Sequence, residues 1–316
     1  MNLDAVLSFL AAALRTATPI ALATLACTIS ERAGVINIGI EGTMIASAFT
    51  GAVGAYYSGS AWVGLLCGAA AGVLLAAIIA GLSIYCGGDQ VVIGIGLNLL
   101  GPGLSYLIMY TIWGSRGTSP WLPGFSAVDI PFIQDIPVLG PLLSGHNPCI
   151  YLCIALTVLM HYVIYHTRYG LRVRAAGENP MALATVGVNV YRLRTSAVLW
   201  GGLMAGLAGA SLSLGSLNVF TNGMSADKGF LAYAANRFGQ WTPGGSYLAA
   251  LLFGGMDALD EPFKAIVALQ ADLVMYAHEN DRGDNAVHRL IGRGNELDIL
   301  RPDDDDDGFV VVIPTV

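Results

Sequence analysis

Apolar residues run along this chain in long blocks rather than alternating with polar ones. Crossing a hydrocarbon layer about 30 Å thick takes about 20 mostly apolar residues. Residues 5–29, 34–55, 62–82, 91–113, 149–166 and 195–217 each supply such a block, and shorter apolar pieces occupy 229–239 and 245–259. The pattern predicts an all-α fold, a polytopic membrane helical bundle of about 7–9 membrane segments, some of them broken helices. Small residues recur at helix-interface spacing. Gly64, Gly68 and Gly72 fall at four-residue steps, and Gly202 and Gly206 repeat the interval. Such positions let helix backbones approach closely where lipid removes the hydrophobic drive for association.

Two blocks are interrupted. "ERAGVINIGIEG", residues 31–42, carries Gly34, Gly39 and Gly42 together with Asn37 and Glu41. A charge at mid-bilayer costs about 2.5–3.5 kcal/mol on insertion scales, so Glu41 is expected to face a bundle interior or a polar cavity. "NVFTNGMSADKGF", residues 218–230, is broken in the same way by Asn218, Asn222, Gly223 and Gly229. Interrupted segments in both halves point to a substrate path between them, which makes Asn37, Glu41, Asn98, Asn218 and Asn222 candidate path residues. Plainer readings stand beside this one. Asn37 and Glu41 would satisfy backbone groups at a kink, Asn98 would make a structural hydrogen bond beside Gly101-Pro102-Gly103, and 218–230 would be an ordinary outer loop. Residues 34–55 admit two paths: a full crossing, with the N-terminus outside, or a dip and return, with the N-terminus in the cytoplasm.

Composition agrees with a lipid-solvated exterior. Of 316 residues 55% are hydrophobic and 12% charged, about half the charge of a soluble domain, and the mean hydropathy is +0.63. The net charge of −7 is unevenly placed. Residues 1–250 hold 10 Lys or Arg against 8 Asp or Glu, and residues 251–316 hold 5 against 14. The acidity belongs to the tail and implies no basic partner for the body; no nucleic acid is expected. Loop 114–148 has six prolines and one basic residue, whereas 167–194 has Arg168, Arg172, Arg174, Arg192 and Arg194 against one acid. The positive-inside rule places 167–194 in the cytoplasm and 114–148 outside, with membrane lipid headgroups as neighbours of the arginines. The start lacks a basic leader and stays apolar past Arg15, so it reads as a first membrane segment rather than a cleavable signal. The five cysteines form no paired ligand pattern and read as small apolar residues in packed helices.

One cytoplasmic stretch has its own grammar. In "GENPMALATVGV", Asn179 is a good N-cap, Pro180 suits the first helical position, Met181 to Val186 can make about two turns, and Gly187 supplies a left-handed stop. The loop is too short to bury Met181, Leu183 and Ala184 in a domain of its own, so another body is expected to cover them. Neither lysine, Lys228 or Lys264, follows the G-x-x-x-x-G-K-[ST] pattern that cradles nucleotide phosphates, and no metalloprotease or nucleophile-elbow motif occurs. No cofactor and no metal are expected, and the chain does not hydrolyse ATP by itself.

"ERAGVINIGIEGTMI", "GENPMALATVGVNVYRLR" and "GSLNVFTNGMSADKGF" resemble the permease subunits of ATP-binding-cassette importers for nucleosides and simple sugars. That group also includes ribose-type and branched-chain amino-acid permeases. The resemblance covers about residues 1–260 and implies a transmembrane permease domain there, multi-pass in a bacterial-type cytoplasmic membrane. It implies a non-catalytic translocation subunit whose ATPase-coupling element is Glu178, Asn179, Pro180, Met181, Ala182 and Gly187. The implied partners are a separate ABC ATPase subunit, a second permease (identical or related) and an extracytoplasmic substrate-binding lipoprotein; the implied cargo is a nucleoside or simple sugar. This chain also departs from the family pattern. "GFLAYAANRFG" has Asn236 and Arg237 where the family has an apolar run, "CGGDQVV" lacks the basic residues expected of a cytoplasmic loop, and no 18-residue apolar window follows residue 260. Residues 261–316, with five aspartates at 303–307, read as an acidic, partly disordered tail. The alternatives are a secondary transporter or channel for a small polar solute, with Glu41 as its coupling carboxylate, or a family member that inserts without transporting.

Overall fold

The computed structural model describes residues 3–115, 117–126 and 145–259. The acidic tail with its expected disorder, and most of the proline-rich loop, lie outside the described residues. Helices α1 (Leu3–Arg32), α2 (Ile40–Ser58), α3 (Ala61–Ala80), α4 (Gln90–Trp113), α5 (Pro148–His166), α6 (Arg168–Glu178), α7 (Pro180–Thr185), α8 (Val190–Ser211) and α9 (Lys228–Phe238) follow in order. A further helix, α10, occupies 243–259. Turns of π-helix prolong α3 over Gly81–Tyr85 and α8 over Leu212–Leu217. Among the described residues no strand forms; an isolated antiparallel bridge joins Thr118 and Thr221.

Among the described residues five helices are long and apolar enough to cross a membrane: Phe9–Arg32, Ala61–Tyr85, Gln90–Trp113, Pro148–His166 and Val190–Leu217. Helix α2 lies inside the bundle instead, packed against α3, α4 and α8, with Met44, Ser47, Ala48 and Ala52 fully buried. The glycine stripes meet as their spacing predicts. A Cβ on Gly72 would strike the carbonyl oxygen of Gly202, and one on Gly206 would lie 2.6 Å from that of Gly68. Backbone therefore touches backbone along the α3–α8 seam, where only glycine fits. A second close crossing, not foreseen, pairs Gly42 of α2 with Gly101 of α4.

Which ends share a face follows from contacts. Gly34, just past α1, packs on Gly177 near the end of α6, and the Tyr85 ring lies 6.2 Å from that of Tyr191. The ends of α1 and α3 thus sit with the start of α8 and the α6–α7 loop. Whichever face of the membrane holds that loop therefore also holds the C-terminal end of α1. The block 34–55 is not one continuous helix, however. Its glycines leave 33–39 non-helical, and α2 starts only at Ile40. On the other flank, α10 runs antiparallel to α1: Thr16 Oγ1 donates to the Gly254 carbonyl at 2.7 Å and Thr28 Oγ1 reaches Ser246 Oγ at 3.3 Å. Arg15, near the outer end of α1, is met by His146 Nδ1 at 3.3 Å.

Candidate functional site

The two interrupted segments meet inside the bundle. Non-helical backbone at membrane depth has no water to satisfy it, so side chains take that duty along 33–42. Ile36 N donates to Gln90 Oε1 at 2.7 Å, Gly39 N to Asn37 Oδ1 at 3.1 Å and Gly42 N to Asn98 Oδ1 at 2.8 Å. Asn98 Nδ2 in turn donates to the Ile38 carbonyl at 3.0 Å. Asn98 lies eight residues into α4, about 12 Å from its start at 1.5 Å per residue.

Glu41, 6% exposed, reaches across to the other half. Its Oε2 accepts from Gly229 N at 2.6 Å, and its Oε1 accepts from Ser225 Oγ. The carboxylate thereby closes the first turn of α9, a negative group at the positive end of a helix. A Cβ on Gly229 would fall 2.6 Å from that same oxygen, so glycine is what lets α9 begin here. Beside it Lys228 Nζ pairs with Asp257 Oδ2 of α10 at 2.9 Å, a partnership the sequence pattern did not reveal. The structure therefore gathers Asn37, Glu41 and Asn98 around the start of α2. Asn218 and Asn222 lie elsewhere, in a pairing of 117–122 with 218–222: Leu122 N donates to the Asn218 carbonyl at 2.8 Å and Asn222 N to that of Gly117 at 3.2 Å. Asn218 is left-handed at φ 54°, with its amide against Gly124.

At the end of the bundle that carries the α6–α7 loop, Asn179 Oδ1 accepts from Ala182 N at 3.0 Å, Pro180 opens α7 and Gly187 follows at φ +80°. Met181 is 82% and Val186 78% exposed, and Glu178, Ala182 and Ala184 are exposed beside them. Leu183 differs from expectation: it is half-buried, because one side of so short a helix must rest on the bundle core. A hollow of about 400 Å³ lies against α7, walled by Val35, Gln90, Met181, Ala184, Tyr191 and Arg194.

The five loop arginines divide by role. Arg194 donates from Nε to the Ala33 carbonyl and from Nη2 to the Ala176 carbonyl, both at 3.0 Å, so one guanidinium joins the C-terminal ends of α1 and α6. Arg174 lies over the Tyr165 ring at 5.1 Å, while Arg168, Arg172 and Arg192 are exposed.

The departures at Asn236 and Arg237 belong to a polar cluster that sequence reasoning missed. Asn236, fully buried, donates to Glu31 Oε2 at 3.1 Å and accepts from Thr28 Oγ1 at 2.8 Å and Ser246 Oγ at 3.2 Å. Trp241 Nε1 donates to the same Glu31 oxygen at 2.5 Å. Arg237 is 3.6 Å from it and lies 5.1 Å over both Tyr233 and Trp241. The signal was Glu31 itself, an acid at the end of an apolar run that needs buried partners.

Residues 9–277 match the family model described as branched-chain amino acid transport system / permease component, so the likeness extends past residue 260, where the recognisable motifs stop. The chain is 38% identical over 267 residues to the guanosine ABC transporter permease protein NupQ of Bacillus subtilis, covering 82% of this chain and 84% of that one. It is 37% identical over 252 residues to the putative glucose ABC transporter permease protein TsgC13 of Haloferax volcanii, covering 78% and 75%. Over 244 residues it is 33% identical to the nucleoside ABC transporter permease protein NupC of Lactococcus lactis, covering 75% and 77%. No solved structure matches. Similarity over this much of the chain decides its kinship: the protein belongs to the branched-chain amino-acid-type permease family of ABC transporters, a multi-pass translocation subunit of the cytoplasmic membrane that works with a separate ATPase.

Proposed function

We propose that this permease imports nucleosides, with simple sugars as the second cargo class, and that helix α7 receives the stroke of the ATPase. The single observation behind the coupling role is the capped, six-residue α7, which offers Met181 and Val186 to the cytoplasm while Arg194 secures its base. An exposed apolar pair on a firmly positioned knob is suited to a partner's groove. Glu178, Asn179, Pro180, Met181, Ala182 and Gly187 form the handle; the permease supplies the path and the partner chain hydrolyses ATP. A second permease and an extracytoplasmic lipoprotein complete the assembly. The nucleoside assignment draws on relatives named for guanosine and for nucleosides, and the sugar alternative on one named for glucose.

Glu41, Asn37 and Asn98 shape the path by deciding where α2 and α9 begin, and Asn218 and Asn222 contribute at its outer mouth. Glu41 with both oxygens engaged is a poor ion-coupling carboxylate, which weighs against a secondary transporter. The test replaces Met181 and Ala184 with aspartate. The ATPase is expected to stop co-purifying and labelled guanosine uptake to fall to background while the permease stays in the membrane; retention of both would remove α7 from the coupling role. Competition of that uptake by unlabelled nucleosides but not by glucose separates the cargo classes.

A further inference from the structure

A groove of about 330 Å³ runs along the membrane-facing side between α5 and α8. Its floor is Ile29, Met160 and Met204, each at most 4% exposed, and its rims are Leu159 and Trp200, 50% and 46% exposed. Along α5 the lining runs from Leu156 to Val163, with Thr167 just past the helix end. Ten residues from Leu156 to His166 at 1.5 Å each give about 15 Å, half of a hydrocarbon core about 30 Å thick. The α5 wall therefore matches the depth of one leaflet. Its cytoplasmic end is closed by Tyr169, whose hydroxyl bonds Ser196 Oγ at 2.9 Å.

Charge surrounds that end. Arg168 stands between the lining residues Thr167 and Tyr169, Arg172 is one helical turn further along α6, and Arg192 precedes Ser196 by one turn on α8. All three side chains are exposed, and none makes a hydrogen bond or ion pair among the described residues. The one acid of 167–194, Glu178, lies at the far end of α6. Three free cations over a dry, leaflet-length slot complement a molecule with an anionic head and an apolar tail.

We propose that this groove binds one acyl chain of an anionic phospholipid of the cytoplasmic leaflet, its headgroup phosphate held among Arg168, Arg172 and Arg192. The bound lipid joins α5, α6 and α8 at the elbow that leads into α7. The site depends on the cytoplasmic placement of 167–194 and not on the identity of the cargo. Trp200 on the rim reports occupancy, and its signal is the difference between the parent protein and Trp200→Phe.

The full chain, purified with its ATPase and reconstituted in phosphatidylcholine bilayers, is titrated with phosphatidylglycerol or with additional phosphatidylcholine, each brominated on its acyl chains. Brominated phosphatidylglycerol is expected to quench Trp200 at a several-fold lower mole fraction. The preference should shrink in each of Arg168→Gln, Arg172→Gln and Arg192→Gln and vanish when all three are combined. Leu156→Phe, which fills the slot and leaves the surface charge alone, should weaken Trp200 quenching in a protein that still co-purifies with the ATPase. Equal quenching by both lipids would reduce the groove to ordinary bilayer contact and overturn the proposal. Absence of quenching by either would overturn it in favour of a second permease covering this face.

Discussion

Glu41 holds two helices by one side chain, and its substitutions separate structure from transport. Glu41→Ala leaves the Gly229 amide and the Ser225 hydroxyl unpaired in a buried site, a loss of about 1–3 kcal/mol that should lower the Tm of the purified complex. Glu41→Gln keeps an acceptor toward α9 and should retain most of both Tm and uptake. Uptake abolished at unchanged Tm would instead reveal an ion-coupling carboxylate. The neighbouring polar pair behaves unequally. Asn236→Val restores the family's apolar character, yet removes the acceptor shared by Thr28 and Ser246 and one donor to Glu31, again costing about 1–3 kcal/mol. Arg237→Ile removes a cation whose side chain is 43% exposed, and its ion pair is worth at most about 1 kcal/mol. Thermal melting of both variants checks that order.

Helices in this protein are placed by two kinds of information, only one of them local. The α3–α8 seam was readable from glycines at four-residue steps, and α7 from its cap, its proline and its stop, because each signal lies within a few neighbours. Gly72→Val should push the seam apart against the Gly202 carbonyl, an overpacking loss of about 1–3 kcal/mol or more, visible as lower yield of folded complex. Asn179→Ala removes one cap bond, about 1 kcal/mol, and should weaken ATPase retention without unfolding the bundle. The start of α2 was not readable. Residues 34–55 read as a broken apolar block, but where the helix begins depends on Asn98 of α4, which accepts from Gly42 N, and on Glu41 reaching across to Gly229 of α9. Asn236 looked like a defect for the same reason, since its partner Glu31 is 205 residues away in sequence. Expectations about the tail 261–316 lie outside the described residues.

The whole molecule has a sidedness that one native thiol can report. Cys86 is exposed and lies in the loop between α3 and α4, while Cys27, Cys149 and Cys153 are buried. A membrane-impermeant maleimide should therefore spare Cys86 in intact cells and modify it in inverted vesicles. A cysteine placed at Trp121, 80% exposed on the opposite side, should show the reverse. Labelling of Cys86 from outside would invert the topology and remove the coupling role of α7 with it. The Arg194 fork adds a mechanical corollary. Its two carbonyls belong to the first helix and to the helix that carries the handle, so neither end swings without the other. Lysine at 194 keeps the charge but lacks the planar pair of donors; ATP turnover should then persist while import falls. The guanidinium is a shared fulcrum, and through it a push on a few cytoplasmic residues becomes a tilt of a helix as long as the membrane is thick.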